Sequence, residues 1–438
     1  LRSLSLAALL ILPFGLHAQD VDAPPSELVD YVKKADPSFS WKLSGKTAND
    51  AGTTYEIDLI SQTWHDIKWD HKLQVFVPKD AKPQATMLLW NQGGRPNQGS
   101  TILGMQLASK ARAPVAFLYG VPKQPHFGGK TEDALIAETF VRYLASKDGT
   151  WPLLFPMVKS VVKAMDALQA FARQEWKFEL KSFVVTGGSK RGWTAWLTAA
   201  TGDPRVKAIA PIVIDTLNMP VQMQNQVNAF GKPSEMIKDY TERKLVPIPD
   251  TSEARKLWKM IDPWVYRDKL TLPKMIINGT NDPYWPLDAL NSYWDDLKGD
   301  KWVLYVPNAG HDLRESDAKG KKELIPSRAV NTLAAFAHSQ IFDKPMPSLT
   351  WVCDEKEGIC RLEVKSAAQT KGTRVWVSES KTRDFRKARW REDKSVTSPA
   401  VVTAPETGYR AFYAETEYDM DGQKFSLCTQ IRILEAKK

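Results

Sequence analysis

Apolar and polar residues change their rhythm several times along this 438-residue chain, and each change predicts a different kind of element. Residues 4–16 are almost continuously apolar and give way to polar residues by Asp20. That run is shorter than a membrane span and ends in small residues, so it predicts a signal peptide cut after about Ala18. Residues 19–50 hold one short helical candidate, 26–34, in polar linker. Strands are then predicted over 54–61 and 64–77, the second with clear alternation from His71 to its closing Pro78. Apolar runs near 85–90, 113–119, 183–185, 206–214, 273–278 and 301–306 predict buried strands. Spacing by three and four places helices over 131–144, 153–171, 193–200 and 327–341. Buried strands alternating with helices mean an α/β sheet, mostly parallel and covered on both faces.

Two stretches break that alternation. Residues 216–268 scatter Met219, Met223, Tyr240, Trp258, Met260 and Trp264 among polar positions, which predicts an inserted helical cap whose apolar side chains serve packing. From Met346 the pattern becomes short alternating strands with frequent turns, at 349–353, 358–364, 374–379, 401–403, 409–418 and 425–434. These predict a small β-sandwich of immunoglobulin or fibronectin type over 346–438, structural or adhesive in role and separable from a main domain at 19–345.

Composition adds limits. A hydrophobic share of 43% is ordinary for a globular enzyme, and the net charge of +9 is spread over the chain with local runs at 319–322 and 381–391. Nothing resembles a nucleic-acid-binding motif, and no second run is long enough for a membrane-spanning helix. Three cysteines, Cys353, Cys360 and Cys428, fall in the last fifth of the chain. In an exported protein they predict one disulfide and one spare thiol: Cys353 with Cys360 across a hairpin, or Cys360 with Cys428 between sheets. No histidine lies near enough to complete a zinc pattern.

The chemistry gathers at residues 181–200. An apolar strand stops at Gly187-Gly188-Ser189 and a helical pattern follows Gly192, so strand, sharp turn and helix meet at a serine. That is the logic of the nucleophile elbow G-x-S-x-G, with Arg191 where the second glycine belongs and glycine delayed to Gly192. A serine needs a base, normally an imidazole held by a carboxylate. Of six histidines, His17 lies in the leader, His65 and His71 in early strands and His338 in a helix. His126 and His311 both follow strands, where α/β folds collect ligands. His311 alone fits the order serine, acid, histidine of an α/β-hydrolase. The acid is Asp282, with Asp215 one strand earlier as the alternative. Oxyanion donors would be the amide of Lys190 and one from Gly93 or Gly94, which follow an early central strand. Glu132 and Asp133 open a helix behind Thr131; they either complement the helix dipole or receive a substrate ammonium. His126, Tyr284 and Trp285 are further candidates for substrate contact.

The runs Glu132-Asp133-Ala134-Leu135-Ile136-Ala137, Trp151-Pro152-Leu153-Leu154-Phe155-Pro156-Met157-Val158-Lys159, Gly188-Ser189-Lys190-Arg191-Gly192-Trp193-Thr194 and Asp262-Pro263-Trp264-Val265-Tyr266-Arg267-Asp268 resemble the PhoPQ-activated pathogenicity-related protein family. The resemblance is strongest over 85–315. It implies an α/β-hydrolase in which Lys-Arg-Gly after the serine is usual, with Ser189, Asp282 and His311 at the triad positions. It implies a serine hydrolase, peptidase or esterase, with a likeness to dipeptidyl peptidases and no metal or organic cofactor. With the apolar leader it implies export to the periplasm or beyond in a bacterium. The expected partner is a small-molecule or peptide substrate. The competing expectation is a secreted binding or virulence-associated protein on an inactive hydrolase scaffold.

Overall fold

The computed structural model describes residues 23–393 and 399–437; the signal-peptide expectation for residues 1–18 lies outside them. In chain order the strands of the main body are β1 (Ser40–Asn49), β2 (Gly52–Trp64), β3 (Ile67–Pro78), β4 (Thr86–Asn91), β5 (Val115–Leu118), β6 (Ser182–Gly188), β7 (Val206–Ile212), β8 (Lys274–Gly279) and β9 (Lys301–Val306). They lie in the order β1-β2-β3-β5-β4-β6-β7-β8-β9. The pairs from β1 to β5 are antiparallel, and those from β5 through β4 to β9 are parallel. The continuous apolar runs explain the parallel half. Leu88, Leu89, Val184, Val185, Ile276 and Ile277 are shut off from solvent because helices cover both faces.

The helices are α1 (Glu27–Lys33), α2 (Gln98–Ala111), α3 (Glu132–Ser146), α4 (Leu154–Phe171), α5 (Lys190–Ala200), α6 (Met219–Phe230), α7 (Lys238–Thr241), α8 (Ser252–Ile261) and α9 (Ser327–Ile341). Among the described residues no helix is long and apolar enough to cross a membrane. The cap is α6 to α8 with the flanking 3₁₀ turns, and it sits between β7 and β8 as the broken alternation predicts.

In the main body, β1 and α2 lie where the hydrophobic pattern predicts no element. β1 is an edge strand with mostly exposed side chains, and only Trp41 and Leu43 carry its alternation, so it reads as linker. α2 is rich in small and polar residues; its start is set by Asn97, which forms a reciprocal capping box with Ser100. Gly104 belongs to this helix because a Cβ there would lie 2.2 Å from the Phe76 ring.

The C-terminal strands are β10 (Leu349–Lys356), β11 (Ile359–Ser366), β12 (Gly372–Ser380), β13 (Arg391–Asp393), β14 (Ala400–Thr403), β15 (Tyr409–Met420), β16 (Gln423–Cys428) and β17 (Arg432–Glu435). β10, β11 and β14 make a small sheet, and it shares a core with β12, β15 and β17 through residues such as Leu362, Val377, Val402 and Phe412. The larger sheet is not separate from the main body. β16 lies antiparallel beside β9, with Cys428 opposite Val303, so one sheet runs on from the parallel strands into β16, β15, β12 and β13. Tyr413, Tyr418, Phe425 and Leu427 pack in the same core as the central strands. A disulfide joins Cys353 to Cys360 across the β10–β11 hairpin, so the alternative pairing with Cys428 is excluded. Cys428 is a buried free thiol whose sulfur accepts the Tyr305 N–H at 3.4 Å.

Candidate active site

The elbow is built where β6 meets α5. Ser189 holds φ at 58°, a region that L-residues avoid unless the surroundings enforce it. The surroundings here are two glycines. A Cβ on Gly187 would lie 2.8 Å from Arg191 Cβ, and one on Gly192 would lie 2.7 Å from Ile214 Cγ2 and 2.9 Å from Gly187 O. The delayed glycine therefore serves the close strand-to-helix approach, which leaves the preceding position open to a long side chain.

His311 follows β9 and Asp282 follows β8, and the two meet: His311 Nδ1 lies 2.7 Å from Asp282 Oδ2. Asp282 Oδ1 accepts the Tyr284 N–H at 2.9 Å, and the Tyr284 ring lies against the imidazole at a centroid distance of 4.3 Å. Nε2 of His311 is buried with no hydrogen-bond partner among the described residues. Ser189 and His311 line one cavity. Asp215 is elsewhere engaged. It accepts from Asn278 Nδ2 at 2.8 Å and from the Tyr293 hydroxyl, and burial pushes its carboxyl up to about 6 against those two bonds.

The cavity is narrow and opens to solvent, with about 50 Å³ of accessible space. Tyr284 and Trp285 are part of its lining. The cap contributes Met219, Met223, Ile237, Tyr240, Val246 and Trp258, so these apolar residues face the site as well as packing the cap. Nothing in their spacing signals that face. The cap is tied down by Trp193, whose indole N–H donates to Ile261 O at 2.6 Å, and by Asp262. The Asp262 carboxylate accepts the N–H groups of Asn218, Met219 and Trp264 at 3.1, 2.7 and 2.9 Å.

Glu132 and Asp133 stand in the first turn of α3 and also belong to a charge cluster. Arg191 grips both Glu132 oxygens at 2.7 Å, and Lys190 Nζ lies 2.9 Å from Glu132 and 3.1 Å from Asp133. Burial pushes the Glu132 carboxyl up, but the Arg191 bonds and charge, Lys190 and Gln124 outweigh it and hold it at about 2. Glu132 sits at φ 51°, and its N–H is met by Gln124 Oε1 at 2.8 Å; Thr131 occupies the N-cap position without a side-chain bond. Asp133 also accepts the Tyr240 hydroxyl at 3.1 Å, and it reaches the cavity while Glu132 does not.

Gly93 and Gly94 are less direct. A Cβ on Gly93 would lie 2.3 Å from Arg191 Nη2, so glycine there leaves room for the guanidinium, and Gly94 at φ 62° lines a neighbouring open cleft. His126 is outside the cavity lining. It opens a tight turn in which its backbone pairs with Lys130 in both directions.

A segment that motif reading misses is bonded to both the Asp282 loop and the His311 loop. Between β12 and β13, the carbonyls of Phe385, Arg386 and Ala388 accept the Asn281 side-chain amide at 3.1, 3.4 and 2.7 Å. Asn308 exchanges two bonds with the Trp390 backbone, at 3.1 and 2.9 Å. Asn281 precedes the acid and Asn308 lies on the histidine loop.

The strand order, the strained serine at the end of β6 and the Asp282–His311 pair at the next strand ends but one define this chain as an α/β-hydrolase by fold. A family model described as PhoPQ-activated pathogenicity-related protein matches residues 28–386. The chain belongs to that family. It is 30% identical over 452 residues to autocrine proliferation repressor protein A of Dictyostelium discoideum, covering 94% of this chain and 89% of that protein. Among solved structures it is similar to acetyl xylan esterase 1 from a Thermoanaerobacterium species, with 17% identity, a TM-score of 0.46 and coverage of 66% and 89% of the two chains. An S-formylglutathione hydrolase from Agrobacterium tumefaciens matches with 14% identity, a TM-score of 0.44 and coverage of 68% and 99%.

Proposed function

We propose that this protein is a serine hydrolase that cleaves an ester through an acyl-enzyme. The observation that carries the reading is the 2.7 Å contact of His311 Nδ1 with Asp282, which leaves Nε2 unpartnered at the cavity that Ser189 also lines. Ser189 Oγ attacks the carbonyl carbon while Nε2 takes its proton, and the amide of Lys190, with one from the 92–94 loop, meets the oxyanion. The carbon–oxygen bond to the alcohol then breaks as the imidazolium returns the proton to the leaving oxygen. Water, deprotonated by the same nitrogen, releases the acid and restores the serine. Esters are favoured over peptides with a free amino terminus because Glu132 and Asp133 are already paired with Lys190 and Arg191.

Labelling with an alkyl fluorophosphonate tests this directly. The protein should label at Ser189, and Ser189→Ala and His311→Ala should abolish labelling and lower ester hydrolysis by roughly four to six orders of magnitude with little change in Tm. Asp282→Asn should cost far more activity than Asp215→Asn. A folded protein that never labels would instead support a binding role on an inert scaffold.

A further inference from the structure

On the hydrolase reading, on which this inference rests, one residue touches both the acid and the base. Asp282 is followed by Pro283 and Tyr284. The Asp282 carboxylate accepts the N–H two residues on, with Oδ1 2.9 Å from the Tyr284 nitrogen. That is an Asx turn, and the ring of the intervening proline fixes its φ, so the carboxylate and the Tyr284 backbone form one local unit. Both acid oxygens are then committed, Oδ1 to Tyr284 and Oδ2 to His311 Nδ1 at 2.7 Å.

The imidazole needs more than that one bond. A hydrogen bond at Nδ1 holds one corner of the ring, whereas the torsion that sets the ring plane has a broad energy minimum, and Nε2 swings with the plane. Burial does not lock it, because the His311 side chain is 27% exposed. The Tyr284 ring covers one face: the centroids stand 4.3 Å apart with 31° between the planes. Burial, with the charges of Asp133 and Asp282, pushes the phenol up to about 12. The ring is therefore neutral and brings no charge of its own to the imidazolium formed in each turnover.

We infer that Tyr284 is a positioning residue of the reaction: its N–H fixes the Asp282 carboxylate and its ring fixes the plane of His311, so that Nε2 is held toward the Ser189 hydroxyl. The work falls to the backbone and the aromatic face, and both survive in phenylalanine. Tyr284 also lines the cavity, where it can touch substrate. The two roles differ in what they change: a substrate contact acts on KM, and the hold on the imidazole acts on kcat.

The test uses p-nitrophenyl acetate and an alkyl fluorophosphonate on the full chain with Tyr284→Leu, Tyr284→Met and Tyr284→Phe. Tyr284→Leu should lower kcat roughly tenfold or more and slow labelling to match, because a small misplacement of the base is costly. KM should stay within about twofold, Tm should change little, and labelling should still reach completion. Tyr284→Met, a flexible chain in the same space, should behave alike and replaces the leucine variant if that one does not fold. Tyr284→Phe should keep kcat within about twofold of the native chain. The inference is overturned by native kcat in the leucine or methionine variant, by a change confined to KM, by a phenylalanine variant as slow as the leucine one, or by failure of both aliphatic variants to fold. A native chain that never labels overturns instead the hydrolase reading.

Discussion

Two stretches outside the parallel sheet reach the edge that carries Ser189, Asp282 and His311, the cap at residues 216–268 and the C-terminal segment at 383–390, and they meet it with different chemistry. The cap presents side chains to the cavity: Met223 and Trp258 form wall and make no bond to Ser189, Asp282 or His311. The C-terminal segment presents backbone. Its carbonyls take the amide protons of Asn281, and Trp390 closes a two-bond ring with Asn308. A wall of side chains can be re-cut by substitution without moving Asp282 or His311. A backbone clamp holds the loops of those two residues in place whatever fills the cavity. The two meet at Arg386, whose guanidinium stacks 3.9 Å from the Phe230 ring of α6 and bonds Asp384 within its own segment. Selectivity and rate should therefore separate on substitution, one to each region.

Ending the chain at residue 345 should have the largest effect. That removes β16 from the edge of β9 and strips the core of Tyr413, Tyr418, Phe425 and Leu427, leaving an unpaired strand edge and exposed apolar surface. The expected outcome is loss of soluble folded protein, read by expression yield and circular dichroism. A soluble fragment that still labels with fluorophosphonate would show that the clamp is dispensable.

Asn281→Ala probes the clamp without removing it. The loop before Asp282 loses its three carbonyl partners, and a shift of about 1 Å at the imidazole's support can lower kcat roughly 100-fold. The loss should be the same for esters of large and small acids, with KM little changed, whereas Met223→Trp, in the cavity wall, should alter the preference between them. A change in ester preference would merge the two regions' roles.

The smallest effect is in pH dependence, where the regions should have opposite signs. In the cap, burial pushes Asp262 up to about 7 despite three backbone N–H donors. Its folded pKa exceeds the ordinary carboxylate value, so the folded state holds the extra proton and stability falls as pH rises from about 4 through 7. In the clamp, burial also raises Asp384, but the Arg386 bonds and charge outweigh it and lower it. That contribution is present above the ordinary carboxylate pKa and lost as pH falls below about 4. Asp262→Asn should flatten the decline of Tm between pH 5 and 8, and Asp384→Asn should flatten only the acid limb. Identical Tm profiles for Asp262→Asn and the native chain would show that the buried carboxyl does not titrate in that range.

The catalytic edge is legible because its signals are local. A strand that must be buried on both faces has to be apolar throughout, a serine turn squeezed between strand and helix has to have glycines beside it, and chain order leaves His311 as the base. The fold class and the Ser189, Asp282 and His311 candidates follow from such rules applied within a few residues of each position. The sequence favours Asp282 but leaves Asp215 open, because both end a buried strand; in the structure Asp282 reaches the imidazole while Asp215 is bonded to Asn278.

The residues of each short segment fix what that segment can become: the parallel strands, the elbow, the cap as an interruption and the β-rich C-terminal pattern. Which of these segments touch is settled only by folding. The carboxylates of Glu132 and Asp133 look like any helix start until folding brings Lys190 and Arg191 to them from 57 and 59 positions away. Asn281 looks like any turn residue until Phe385, 104 positions on, offers its carbonyl. A strand edge carries no mark of its neighbour, so the joining of β16 to β9 could not be read from alternation; backbone hydrogen bonds and charge pairs take any complementary partner, and the fold chooses which one arrives.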